Sequence, residues 1–182
     1  TQDAFKTINY GLKKLNAGDT LYVRGGTYPD AIGRMSTAYG HKNGTADNPI
    51  VVRAYENETP VITGTRLYID KLAWWEFRGL TFRNMSGAIM LGNLGGTECV
   101  NNLTFADNVI EHGTNNMVSR CAYDTVIKDN FFDNLRSRVA GKDRVAFAIE
   151  KMYDSLIDGN HFRDIGSDGI LVRDGGIAPN VI

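Results

Sequence analysis

The stretch RCAYDTVIKDNFFDN, residues 120–134, lies over EKMYDSLIDGNHFRD, residues 150–164, position for position. Tyr123 matches Tyr153, Asp124 matches Asp154, Ile127 matches Ile157, Asn130 matches Asn160 and Phe132 matches Phe162. Upstream, NNLTFADNVIEH (101–112) joins the set through Phe105, Asn108 and Ile110, and WWEFRGLTFRN (74–84) keeps Phe77 and Phe82 but carries Leu80 in place of the Asn. From Phe77 to Phe105 to Ile127 to Ile157 the steps are 28, 22 and 30 residues, and Val181-Ile182 would open another copy 25 residues later.

A near-period in the twenties with variable insertions is the mark of a solenoid. Its unit is β, because the apolar residues fall two apart and are flanked by turn formers. Ile-x-x-Asn-x-Phe reads as two short strands meeting at a tight corner, with the Asn expected to adopt the left-handed backbone there. Repeated Asn at one corner can also hydrogen-bond to one another along the stack; Leu80 interrupts that ladder. A third strand follows each copy, in AIMLG (88–92), NMVSR (116–120), AFAIEK (146–151) and GILVR (169–173). Alternation turns Ile89 and Leu91, Met117 and Ser119, Phe147 and Ile149, Ile170 and Val172 inward. Three short strands per turn make an all-β, right-handed parallel β-helix of about six coils, spaced about 4.8 Å along the axis. TLYVRGGTY (20–28) is then an early rung with its corner at Gly25-Gly26.

Residues 1–182 form one domain, with a capping helix expected over 1–18 and coils over 19–182. Phe5, Ile8, Leu12 and Leu15 give the helix its apolar stripe and Asp3 stands where an N-cap would, while Gly11 costs it about 1 kcal/mol relative to Ala. Without a cap, the first rung would expose strand edges and an apolar bore. The chain starts without a Met and stops in NVI, so it reads as a fragment truncated at its C-terminus, and its bare last rung as an edge for self-association. A formal charge of −1 gives no support to general nucleic-acid binding, and no apolar run is long enough to span a membrane. Cys99 and Cys121 are separated by the same 22 residues that carry Phe105 onto Ile127, which makes them neighbours on adjacent rungs, either bridged or stacked as thiols.

FKTINYGLKKLNAGDTLYVRGGTY (5–28), followed by NPIVVRAYENETPVITG (48–64), resembles the N-terminal region of right-handed parallel β-helix proteins of the pectate-lyase-like superfamily. The resemblance implies a cap on the open end of the coil, a substrate groove on the outer face of the third strand, and secretion or display at the cell surface. VAFAIEK (145–151), ending in Lys151, resembles the place where family-9 pectate lyases carry their base lysine. Those enzymes also bind calcium through clustered Asp, whereas Glu150, Asp143, Asp168 and Asp174 are scattered here, so calcium is possible and the metal site unknown.

Register places Gly92, Arg120, Glu150 and Arg173 on one outward column after the third strands. An Arg–Glu–Arg column is either a surface charge ladder or a groove that holds an acidic sugar through guanidinium–carboxylate forks. Before the third strand, Arg136, Arg138, Lys142 and Arg144 crowd into nine residues, as a solvated loop or as a positive lip steering an anionic polysaccharide. Lyase chemistry on a uronic acid needs a cation on the carboxylate and a base for the adjacent proton. Lys151, Glu150, Arg120 and Arg173 are therefore the catalytic candidates. His112 is an exposed loop histidine or an acid–base group. Trp74 is a sugar-stacking platform or one of an in–out tryptophan pair with Trp75. A glycoside hydrolase would instead need two facing carboxylates, such as Glu150 with Asp168 or Asp174. A binding or adhesive β-helix would need no base at all. The expected partner throughout is an acidic polysaccharide.

Overall fold

The computed structural model describes residues 4–29, 32–93, 95, 97–113, 117–135 and 145–173. They wind into six coils of three strands, and like strands of successive coils pair in parallel to make three sheets. The first sheet holds Thr20–Val23, Ile50–Ala54, Ala73–Arg78 and Val100–Ala106, then two split strands, Ala122–Tyr123 with Val126–Lys128 and Met152–Tyr153 with Leu156–Asp158. The second runs from Gly26–Tyr28 to His161–Arg163, and the third from Gly33–Met35 to Ile170–Val172. The repeat alignment matches the pairing: Phe77, Phe105, Ile127 and Ile157 are consecutive partners, as are Phe82, Ile110, Phe132 and Phe162.

The inward side chains fill the bore. Trp75, Phe77, Phe82, Phe105, Phe132 and Phe147 are fully buried, and successive rings lie 5.6–6.1 Å apart from Trp75 through Phe77 and Phe105 to Phe82. Each such side chain removed from water contributes about 1.5–3 kcal/mol, so the bore is the main source of stability. On the third sheet Ile89, Leu91, Met117, Ser119, Phe147 and Ile149 point inward as expected, while Ile170 and Val172 on the last coil are 41% and 47% exposed.

The cap is smaller than the apolar spacing suggests. Only Ile8–Leu12 is helical, and Thr7, not Asp3, caps it by accepting the Tyr10 N–H at 3.2 Å; Asp3 lies outside the described residues. Ile8, Leu12 and Leu15 are buried, whereas Phe5 precedes the helix and is 47% exposed. A Cβ on Gly11 would sit 2.9 Å from the Phe5 ring and 3.3 Å from Leu21, so the poor helix former lets the helix pack close to the first rung.

The Asn corner also needs a correction. The left-handed residue is the one before each Asn, and before Leu80 in the same column: Gly79, Asp107, Asp129 and Gly159 have φ of 66, 57, 53 and 62°. The Asn that follows makes the ladder. Asn108 accepts from the Leu80 N–H at 3.0 Å, Asn130 from the Asn108 N–H at 3.0 Å, and Asn160 from the Asn130 N–H at 3.0 Å. Each Asn donates its amide to the carbonyl of a first-sheet residue one coil below, Phe77, Phe105 and Ile127 in turn. Leu80 therefore ends the ladder without breaking it, since its backbone alone is needed. Two further left-handed columns stack with the same steps: Asn84, His112, Asn134 and Asp164 after the second sheet, and Trp74, Asn102, Asp124 and Asp154 within the first.

Cys99 and Cys121 form a disulfide across adjacent coils, with Cα atoms 4.6 Å apart. It closes a loop of 22 residues, so loop-closure entropy sets its contribution near 3 kcal/mol. Urea unfolding with and without a thiol reductant should differ by about that amount, and a Cys99→Ser/Cys121→Ser variant should unfold like the reduced protein and ignore the reductant.

At the first corner, Arg24 Nε donates to both carboxylate oxygens of Glu58 at 2.9 and 2.8 Å, and the Gly25 N–H donates to the same group. The Arg24 hydrogen bonds, then that N–H, pull the Glu58 carboxyl down to about 2. Its value in the unfolded chain is higher, so the ion pair stabilises fully above roughly pH 4.5 and the contribution disappears as pH falls through about 2. Glu58→Gln should flatten the acid limb of a melting-temperature profile between about pH 5 and pH 2.

Candidate functional site

The third-sheet strands end on one column, in which backbone bonds fix the register. The N–H of Arg120 reaches Leu91 O at 2.7 Å, that of Glu150 reaches Ser119 O at 2.8 Å, and that of Arg173 reaches Ile149 O at 3.0 Å. Side chains one rung apart therefore meet. Arg120 Nη1 lies 2.7 Å from Glu150 Oε2, and Arg173 Nη1 lies 3.3 Å from Glu150 Oε1. The glutamate thus gives one oxygen to each guanidinium. Arg120 is 28% exposed and its Nε is buried without a partner, whereas Arg173 is 57% exposed and holds Glu150 by a single long bond. Arg173 is the cation of the column that an outside carboxylate can reach. Taken alone, such partly exposed pairs contribute about 0–1 kcal/mol each.

Lys151 follows at the corner, half-buried, in the stack Lys71–Cys99–Cys121–Lys151. Its carbonyl accepts from Ser119 Oγ at 2.8 Å and from the Ala122 N–H at 3.2 Å. The disulfide below and the buried serine behind hold its backbone next to the end of the third-sheet strand. Gly92 occupies the column position beneath Arg120, at φ 80°. A Cβ there would meet Cys121 O at 2.5 Å, so the column has a bare step under Arg120.

The structure does not gather the other candidates here. His112 lies at the far end of the third strand, left-handed at φ 54°, with Nδ1 2.9 Å from Asn134 Nδ2 and Nε2 3.8 Å from Glu111. It belongs to a second-sheet ladder in which Arg83 pairs with Glu111 at 2.6 Å and Arg163 with Asp133 at 2.7 Å. The Arg163 hydrogen bond holds the Asp133 carboxyl below its ordinary range. Trp74 sits half-buried in the first-sheet bend, two coils below Asp124 and around the corner from Arg120. Trp75 is the inward partner, fully buried, with Nε1 donating to Lys42 O at 2.9 Å. Asp168 precedes the last third-sheet strand whereas Glu150 follows its own, and Asp168 bonds Ser167, so Glu150 and Asp168 are not a facing pair. Tyr123 and Tyr153 stack at 4.8 Å and 21°.

Arg136, Arg138, Lys142, Arg144, Asp143 and Asp174 lie outside the described residues. Among the described residues no three Asp, Glu, His or Cys converge as metal ligands, and the nearest carboxylate, Glu150, already serves two arginines. These groups do not fit a calcium ion, which takes six to eight oxygens. No helix among the described residues is long and apolar enough to cross a membrane.

Sequence reasoning missed a second cluster on the lower coils. Asp70, fully buried, accepts from Arg34 Nε at 2.9 Å. Arg34 also reaches Glu98 at 3.3 Å, and Lys71 Nζ lies 2.5 Å from Glu98, whose carboxyl it holds low. Asp70 occupies the same column as Gly92, Arg120 and Glu150, so stepping the register below Trp74 would have found it.

No family model matches the chain. Pectate lyase PEL9 of Emericella nidulans is 40% identical over 98 residues, which cover 43% of this chain. The chain spans only 23% of that enzyme's length. The three parallel sheets and the matched stretch together make this chain a parallel β-helix that resembles the pectate lyases.

Proposed function

We propose that the chain carries part of the groove of a secreted polysaccharide lyase that cleaves a uronic-acid polymer by β-elimination. The observation that carries the reading is the similarity to a pectate lyase, in a coil whose third sheet ends on Arg120, Glu150, Arg173 and Lys151. Arg173 would neutralise the substrate carboxylate and so acidify the proton on the adjacent ring carbon. Lys151 would take that proton as the base. The C–H electron pair becomes the new ring double bond, the glycosidic C–O bond breaks, and the departing oxygen takes a proton from water. Glu150, anchored by Arg120, would orient Arg173 through its one bond. The disulfide supports an oxidising compartment.

The test is ultraviolet absorbance from unsaturated ends after incubation with pectate, alginate or glycosaminoglycan, with and without added calcium. Rising absorbance on one of them supports the lyase. A second reading is favoured by Glu150 already occupying both arginines: a non-catalytic β-helix that only binds acidic polysaccharide. Binding with neither absorbance nor new reducing ends would establish it.

A further inference from the structure

The outer face of the third sheet carries an aromatic–guanidinium cluster on its two lowest coils that the reaction above does not use. Arg34 and Tyr68 are register partners and both point outward. The Arg34 guanidinium carbon lies 4.9 Å from the Tyr68 ring centre and 5.3 Å from that of Tyr39, which ends the short turn Thr37–Tyr39. Arg34 is itself fixed by Asp70 and Glu98, and Lys71 balances the second carboxylate, so the cluster is rigid and carries no net charge. Tyr39 is 49% exposed on this support. A tyrosine already immobilised on one face, and open to water nearby, loses little entropy when a ligand stacks on it.

We propose that Tyr39, seated on Arg34 and flanked by Tyr68, is a distal sugar-stacking subsite of the same groove, taking a pyranose through its apolar face. The inference rests on the polysaccharide reading above. Tyr68 stands three coils below Ala148, about 14 Å along the axis, and a pyranose is about as long as one coil is high. A chain with one sugar at Arg173 and Lys151 would therefore reach the tyrosines several units away. Val118 and Ala148 are almost covered on the outer face, so the path follows the edge column, where Gly92 leaves its bare step. Because the cluster is neutral overall, it should accept a sugar whether or not its carboxylate is esterified.

Calorimetry with a trisaccharide and an octasaccharide of galacturonate tests this. Wild type should bind the longer chain more tightly. Tyr39→Ala should lose about three- to tenfold in octasaccharide affinity and nothing for the trisaccharide, while Tyr39→Phe should keep both. Octasaccharide affinity unchanged in Tyr39→Ala, or an equal loss for both lengths, overturns the subsite. Wild-type binding that does not grow with length overturns it too, and leaves the polysaccharide reading standing. Binding of neither length by wild type removes both.

Discussion

Asn130→Ala should cost about 3–5 kcal/mol in urea unfolding, more than its exposure-matched neighbours suggest. Asn130 is fully buried. Its Oδ1 receives the Asn108 N–H at 3.0 Å and the Asn108 amide at 3.2 Å, and its own amide goes to Phe105 O at 2.9 Å and Asn160 Oδ1 at 2.9 Å. Truncation strands a buried donor and a buried carbonyl in the wall of the coil, each costing about 1–3 kcal/mol, and uncouples three rungs. Asn160 is itself partly exposed, so its truncation lets water approach the Asn130 N–H and the Ile127 carbonyl it leaves behind, and Asn160→Ala should cost less, about 1–2 kcal/mol. Equal losses at the two positions would show that the ladder is not cooperative and that burial does not decide its strength.

Lys151→Ala should lower the elimination rate on pectate by two to four orders of magnitude, the usual effect of removing a positioned base. The backbone contacts of residue 151 to Ser119 and Ala122 survive the change, so unfolding free energy should move by less than about 0.5 kcal/mol. Arg173→Ala should raise KM as well as lower kcat, because it removes the accessible cation of the column. The measurement is initial absorbance rate against substrate concentration for each variant. A Lys151→Ala protein that retains the wild-type rate would remove this lysine from the chemistry and leave the column as a charge ladder.

The coil was legible because its period repeats in residue type as well as in hydrophobicity. Asn108, Asn130 and Asn160 mark one corner in three successive copies, and from them the register of every later strand followed, down to Arg120 over Glu150 over Arg173. The first two coils lack that Asn, so Asp70 and Arg34 went unplaced although they obey the same register. The left-handed positions were misread by one residue, because Asn and Asp both tolerate that backbone and composition cannot say which of two neighbours bends. His112 and Trp74 looked functional by residue type. Each stands in a bend column otherwise filled by Asn and Asp, a placement set by three-dimensional stacking. The pairing of Cys99 with Cys121 needed only the repeat step; the choice between bridge and free thiols needed the Cα separation.

In the upper four coils the corner between the first and second sheets keeps one length. From Phe77 to Phe82, Phe105 to Ile110, Ile127 to Phe132 and Ile157 to Phe162 the chain takes five residues every time. In these four coils the variation in length falls at the other two corners, which border the third sheet, whereas the two lowest coils take seven residues from Leu21 to Tyr28 and ten from Val52 to Ile62. In this part of the coil, insertions and deletions are thereby steered toward the borders of the third sheet and away from the Asn-braced spine, so that surface can change while the stack keeps its register.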